Sequence, residues 1–411
     1  MKDNKELKKS ETFCMLPFMH IYGTAGGDLV PCCEAQETPL NNPGETALES
    51  WNNDNYKELR RALSNDERPD RCEVCWHNED SGVVSNRKQW EDDNWETFSN
   101  EIEVNDDWSV NNSPKWVELK VSNFCNLKCI MCSTHSSYKR VKDLDIISKY
   151  TADGYETRLL RPTTLFASLN EWPELWENVH TLQFTGGEPI INQEHYDLLE
   201  GIPKDIRKNI KLRYATNLSM IKFKKYDLVE IWNEFAAVNI KVSMDGIEDV
   251  YNYIRQDGDW DTVYANMLVL SSEPTINLAV GITVQSHNVF HMPEFYDFWA
   301  DNIVKLDFIT ANVLHTPKYL SPALWPANVR KPIVDKLKEA LPRHPEMRKF
   351  ITYMLRNKPN ALNYSKMRKY TRDLEARYPK EITLKSMLKK YLKIKLEGMD
   401  IVDERLKNEK R

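Results

Sequence analysis

Three cysteines, Cys125, Cys129 and Cys132, constrain this chain more than any other feature of its sequence. Just before them runs Trp116–Phe124 (WVELKVSNF), a β-branched, alternating segment that reads as a strand. After them comes Ser133–Thr134–His135–Ser136–Ser137, able to cap a helix. The cysteines are therefore expected in the loop between a strand and a helix. Thiolates are soft ligands that suit iron–sulfur clusters and zinc. A four-iron cube has four corners, so three cysteines leave one iron open, as a catalytic metal site requires. Zinc would want a fourth protein ligand, which His135 could supply, and on the triplet alone both metals stay open.

From Lys115 on, the pattern is strand, helix, strand, repeated. The strands read as Trp116–Ser122, Val179–Phe184, Lys211–Thr216, Val238–Met244, Ile276–Val284 and Lys305–Thr310. Helical patterns lie between them, at Glu194–Leu199, Tyr226–Phe235, Thr262–Leu270 and Met292–Asn302. Six βα units predict a parallel sheet with right-handed crossovers, either doubly wound or closed into part of a barrel, with reactive groups at the carboxyl ends of the strands. The second strand ends in TGGEP: Gly186 and Gly187 let backbone approach a ligand, and Glu188 offers a carboxylate to an ammonium group. The third ends at Asn217 and the fourth at Ser243 and Asp245, short polar side chains that suit ribose hydroxyls but also serve turns and helix caps. Gln285 and Asn288 end the fifth. His20, His135 and His287 are expected to be packing residues.

The ordered set CxxxCxxC, GGE and VSMDG resembles the signature of radical S-adenosylmethionine enzymes. That resemblance implies an α/β fold, a partial (βα)6 TIM-like barrel. It implies a [4Fe–4S] cluster on Cys125, Cys129 and Cys132 whose open iron is chelated by S-adenosylmethionine. Reductive cleavage to methionine and a 5′-deoxyadenosyl radical, followed by hydrogen abstraction from substrate, is the activity implied. Gly186, Gly187 and Glu188 would hold the cofactor's amino group, Ser243 and Asp245 its ribose with Asn217 nearby, and Arg255 its carboxylate. Arg255 has a surface ion pair as its plainer reading. The family often has an aromatic residue before the third cysteine, where this chain has Met131. An external flavodoxin- or ferredoxin-like reductant is implied by the chemistry.

Five further cysteines, Cys14, Cys32, Cys33, Cys72 and Cys75, fall in residues 12–90. FCMLPFMHIYGTAGGDLVPCC reads as a turn-rich hairpin with Gly26–Gly27–Asp28 at its tip, and a helix is expected at about Leu48–Leu63. Cys14, Cys32, Cys72 and Cys75 would fully ligate a second cube, or a zinc ribbon. Their pattern is similar to the twitch and SPASM modules that carry auxiliary [4Fe–4S] clusters. Those modules mostly follow the barrel, whereas here the cysteines precede it. Only one of Cys32 and Cys33 is needed, and Cys32 is preferred. With all four corners filled, electron relay is the expected role.

The expected organisation is an auxiliary-cluster module at 1–90, a surface connection at 91–114, the barrel at 115–314 and a helical extension at 315–411. Without an apolar leader or membrane-length apolar run, the chain is expected in the reducing cytoplasm, with thiols used for metal. The net charge of −6 divides into +13 from Arg330 onward and −19 before it. The basic extension is expected to pack on an acidic body, with capping of the substrate side, partner contact or an anionic substrate as further readings. Peptide or protein and sugar- or nucleotide-like substrates both stay open. So does a non-catalytic alternative, a zinc-stabilised scaffold or nucleic-acid-binding protein.

Overall fold

The computed structural model describes residues 1–393 apart from 37, 83, 152, 153 and 173. The last part of the expected helical extension, 394–411, lies outside the described residues. The chain forms two compact units, one of Met1–Phe124, Arg158–Thr216 and Lys222–Asn239, the other of Cys125–Thr157, Asn217–Ile221 and the chain from Ile240 on.

In the first unit, β1 (His20–Gly23), β2 (Leu29–Val30), β3 (Trp116–Lys120), β4 (Thr181–Thr185) and β5 (Lys211–Thr216) form a sheet in the order β2-β1-β3-β4-β5. β1, β3, β4 and β5 are parallel, and β2 returns antiparallel to β1, pairing Tyr22 with Val30. The N-terminal hairpin is therefore not a separate sheet: His20 pairs with Trp116 and Gly23 with Leu119. Alternation along the strands buries Val117, Leu119, Leu182, Phe184, Leu212 and Tyr214. Pairs β6 (Lys222–Phe223) and β7 (Tyr226–Asp227) make a small hairpin. The helix expected at Tyr226–Phe235 shortens to Leu228–Trp232, because Asp227 caps it through the Val229 N–H.

Two further expectations are corrected in this unit. The single helix at Leu48–Leu63 is two, Ala47–Trp51 and Asp54–Leu63, because Asn53 starts the second by accepting from the Tyr56 N–H. The acidic connection at 91–114 is helical in its first part: Asn86–Glu101 is one helix. Phe98 anchors it, ring to ring with Phe13 (5.4 Å) and Phe18 (5.8 Å), while Trp90 packs 4.2 Å from Trp116.

In the second unit, β8 (Ala237–Ser243, from Ile240 on), β9 (Ile276–Val284) and β10 (Ile309–Val313) lie side by side, β9 and β10 parallel. The last strand starts four residues later than expected, since Asn302 caps the preceding turn at the Val304 N–H and Val304 is buried there. The basic extension forms helices Ala327–Ala340, Met347–Arg356, Ala361–Arg377 and Leu384–Leu392. Its cations pair with acids of its own unit: Lys336 with Glu294 (2.6 Å), Arg343 with Asp297 (3.1 Å), Arg377 with Asp145 (2.5 Å) and Lys390 with Asp249 (3.2 Å). The packing reading of the tail's charge therefore holds for these residues.

Among the described residues, no helix is long and apolar enough to cross a membrane.

Candidate functional site

The loop from Cys125 to Cys132 is tied down at each step. Cys125 and Cys129 are buried and Cys132 partly so. The Lys128 and Ile130 N–H groups donate to the Gln256 and Ile254 carbonyls (2.9 and 3.0 Å). The Ser137 hydroxyl donates to the Leu127 carbonyl (2.8 Å). The Ser/Thr stretch therefore shapes the cysteine loop and does not cap the following 3-10 turn, whose N-terminus has no side-chain cap. Cys129 and Cys132 share a hydrogen bond that holds the former protonated and favours thiolate on the latter, with the charge of Cys125 also felt there. Two donors point at these sulfurs: Asn217 Nδ2 is 3.8 Å from Cys125 Sγ, and Arg255 Nη1 is 3.8 Å from Cys129 Sγ. Hydrogen bonds to cluster sulfurs are a known lever on potential.

Behind the loop stands a buried network that the sequence did not announce. The Tyr370 hydroxyl donates to the Ile130 carbonyl (2.6 Å) and accepts from Arg140 Nη2 (2.6 Å). Arg140 also pairs with Asp143 at 2.5 Å, and all three side chains are shielded from solvent. Helix Ala361–Arg377 is thus part of the cysteine loop's support. His135 turns away, its Nε2 meeting the Gly154 carbonyl (3.1 Å). His287 is enclosed between Ser286 and Thr371, and His20 between the Pro31 carbonyl and Glu118, as packing residues are.

Gly186 and Gly187 sit where β4 ends. Gly186 has φ +109°, a left-handed conformation that side chains resist. A Cβ on Gly187 would lie 2.2 Å from the Phe124 carbonyl oxygen. The two N–H groups that follow, of Gly187 and Glu188, donate to the carbonyls of Ser122 (2.7 Å) and Phe124 (2.8 Å). Glu188 is buried, and its Oε1 accepts from the Thr216 hydroxyl (2.5 Å). The GGE turn is therefore zipped to the residue immediately preceding Cys125.

Of the residues expected at the ribose and the carboxylate, Asp245 and Arg255 meet each other. Ser243 is half-buried at the end of β8. Asp245 is fully buried: Oδ1 accepts from the Thr283 N–H (2.8 Å), and Oδ2 lies 2.9 Å from Arg255 Nη2. Burial pushes the Asp245 pKa up against the pull of Arg255. Burial also works against the Arg255 charge, but Asp245 and Cys129 hold it protonated. Arg255 is thus no surface ion pair: it bridges a rim carboxylate and a cysteine sulfur. Asn288 closes the turn after β9, donating to the Asp245 and Thr283 carbonyls (2.9 Å each). Gln285 is fully buried beside it.

In the first unit, Cys14, Cys32, Cys72 and Cys75 line one cavity, and Cys33 is exposed outside it. Cys14 precedes the short helix Leu16–Met19 that leads into β1, and Cys32 follows β2 as it returns. Both therefore lie at the amino-terminal end of the parallel strands, whereas the carboxyl end of β3 leads to Phe124. Cys72 and Cys75 come from the turn Asp70–Cys72 and helix Glu73–Asp80. Burial raises the thiol pKa values, with Cys72 at about 11 and Cys14 and Cys32 higher, each reinforced by neighbouring thiols. Four convergent thiols, with the one lining carboxylate, Glu34, exposed, fit a fully ligated cube. Among the described residues, no three His, Cys, Asp or Glu side chains close to the spacing of a single bound ion.

The class defined so far is an α/β protein with one three-cysteine loop and one four-cysteine cavity. Residues 119–298 match the radical SAM superfamily, and residues 14–76 match the SPASM iron–sulfur cluster-binding domain. Within the chain, the region matching the SPASM domain precedes the region matching the radical SAM superfamily. These domains bring a [4Fe–4S] cluster, S-adenosylmethionine and an auxiliary iron–sulfur cluster. Similar curated proteins are an uncharacterized protein of Methanocaldococcus jannaschii (28% identical, covering 45% of this chain and 58% of that one) and a probable GTP 3′,8-cyclase of the same organism (22%, 45% and 55%). The chain spans little more than half the length of these relatives. Similar solved structures include anSMEcpe with bound AdoMet and a peptide (20% identical, TM-score 0.38, covering 58% of this chain and 61% of that one). Another is Streptococcus suis SuiB bound to the precursor peptide SuiA (16%, 0.38, 63% and 60%).

Proposed function

We propose that the chain is a radical SAM enzyme that abstracts hydrogen from an anionic substrate, with the second cluster relaying electrons. The observation that carries this reading is the GGE turn hydrogen-bonded to Phe124, one residue before Cys125. Cys125, Cys129 and Cys132 would hold the catalytic cluster, and Cys14, Cys32, Cys72 and Cys75 the auxiliary one. When bound, the cluster and S-adenosylmethionine supply an adenosyl radical. The chain's own residues do the rest. Glu188, held in place by the Thr216 hydroxyl and the Ile190 N–H, accepts from the cofactor's ammonium group. Ser243 offers a hydroxyl to the ribose. Asp245 is committed to Arg255 and Thr283, so its part is to aim Arg255 at the cofactor carboxylate and Cys129. Asn217 and Arg255 tune the cluster through its sulfurs. A flavodoxin- or ferredoxin-like protein would deliver the electron.

Four thiolates would leave no iron of the auxiliary cluster open, which favours electron relay over direct substrate contact. The zinc-scaffold alternative finds no support in the matched families.

An anionic substrate is favoured by an open cavity just past the carboxyl end of β10. It is lined by His315, Lys318, Lys358, Tyr353 and three asparagines, and by no carboxylate. Lys318 and Lys358 are exposed there. Adding inorganic tripolyphosphate to the reconstituted enzyme should raise its melting temperature, and the Lys318→Glu/Lys358→Glu variant should lose that rise while cleaving S-adenosylmethionine within about twofold of wild type. An equal rise in both proteins would remove the anionic-substrate reading. The enzymatic reading itself is tested by 5′-deoxyadenosine formation under anaerobic reduction; none from a fully loaded protein would refute it.

A further inference from the structure

The cavity that gathers the four N-terminal thiols contains one buried cation. Arg87 follows Cys75 by twelve residues, near the start of helix Asn86–Glu101, and is only 4% exposed. Its guanidinium lies 4.8 Å from the ring centre of Trp76, a residue of the helix that carries Cys75. Nη1 donates to the Phe13 carbonyl (2.6 Å) and Nη2 to the Glu11 carbonyl (2.8 Å), which fixes the segment that ends in Cys14. Nη2 also meets Glu79 Oε2 at 2.5 Å. The remaining donor, Nε, is buried and has no hydrogen-bond partner. Burying a guanidinium with an idle donor is costly unless something negative faces it. Four convergent thiols line the same cavity, and the carboxylate that also lines it, Glu34, is exposed. Besides Glu79, the other charges felt at these thiols, Glu34 at Cys75 and Arg71 at Cys72, are exposed or partly so.

We infer that Arg87 is the counter-ion of the auxiliary cluster, donating through Nε toward its thiolate sulfurs and raising its reduction potential, with Glu79 opposing it. The inference rests on the auxiliary-cluster reading. A cube on four thiolates becomes one charge more negative on reduction, so a fixed cation inside its low-dielectric wall stabilises the reduced form, and a nearby carboxylate does the reverse. Arg87 is in this sense a positioning and tuning residue: it holds the Cys14 segment by two carbonyls and sets the field by its charge.

The test is an anaerobic, EPR-monitored redox titration of full-length protein in a Cys125/Cys129/Cys132→Ala background, where only the auxiliary cube contributes signal. Arg87→Gln should move the midpoint to more negative potential, Glu79→Gln to more positive potential, and Arg87→Lys should stay nearer the parent than Arg87→Gln. Opposite signs at two residues that touch each other are not expected of a merely structural contact. The inference is overturned if Arg87→Gln and Glu79→Gln shift the midpoint the same way, or if neither shifts it. Should Arg87→Gln fail to assemble the cube, Arg87→Lys and Glu79→Gln decide: a positive shift in the latter with the former near the parent supports the inference, and any other pair of results overturns it. A background protein that holds no iron at all would instead refute the auxiliary-cluster reading.

Discussion

Gly187→Ala is expected to reduce S-adenosylmethionine cleavage by at least about a hundredfold, an effect on the order of 3 kcal/mol. The added methyl would sit 2.2 Å from the Phe124 carbonyl oxygen, 2.6 Å from its carbon and 2.8 Å from the Asn123 carbonyl carbon. All three are backbone atoms, so no rotamer change relieves the clash, and the turn or the approach to Cys125 must move. Moving the turn breaks the Glu188 N–H bond to Phe124 and takes the carboxylate off its station. Moving the approach displaces the first cysteine. Cleavage is measured as 5′-deoxyadenosine formed per loaded protein under a chemical reductant, with iron content measured alongside. Activity within a few-fold of wild type would mean that the close packing of GGE against the Cys125 approach is not what positions the cofactor.

Tyr370→Phe is expected to loosen the catalytic cluster although Tyr370 is 240 residues from the loop it supports. Losing the hydroxyl leaves the Ile130 carbonyl and one Arg140 donor without their partner in a buried setting, a cost of about 2–4 kcal/mol. Iron loss to a chelator from the three-cysteine site should accelerate by about tenfold or more, while iron at the four-cysteine site leaves at the wild-type rate. Truncation near Arg330 removes the whole helix Ala361–Arg377 and should therefore abolish cofactor cleavage even in the absence of substrate. If the extension only capped the substrate side, truncation would spare that uncoupled cleavage. A truncated protein that cleaves S-adenosylmethionine at the wild-type rate, or a Tyr370→Phe protein with unchanged iron release at both sites, would show that the tail does not hold the loop.

What could be read from the sequence follows from where the chemistry is local. Cysteine spacing is local, so CNLKCIMC marks a candidate metal loop from the sequence alone, while the triplet by itself leaves iron and zinc both open. The alternating runs of β5 and β9 mark their limits to the residue, because alternation over six to nine residues has no good helical competitor. The run from Ile303 to Thr310 has no such clean alternation, so the pattern reads a strand from Lys305 where β10 begins at Ile309. Helix Asn86–Glu101 was hidden by its acidic surface: Glu91, Trp95 and Phe98 share one helical face, but the charges around them read as a loop. The same limit applied at the sites. Asp245 reads from the sequence as a rim residue and Arg255 as resembling a cofactor-carboxylate partner, yet only coordinates reveal that they bind each other. Tyr370, Arg140 and Arg87 carried no local signal, since their partners lie in distant segments and a tyrosine or arginine in a polar helix has many uses.

The most direct measurement is to count iron, acid-labile sulfide and zinc per chain after anaerobic reconstitution, in wild type and in the Cys125/Cys129/Cys132→Ala variant, with cofactor cleavage assayed on both. Two cubes require about eight irons in the wild type, and about four should remain in the variant together with complete loss of cleavage. Zinc in place of iron in the wild type, or a variant that keeps all its iron and still cleaves S-adenosylmethionine, would contradict the account.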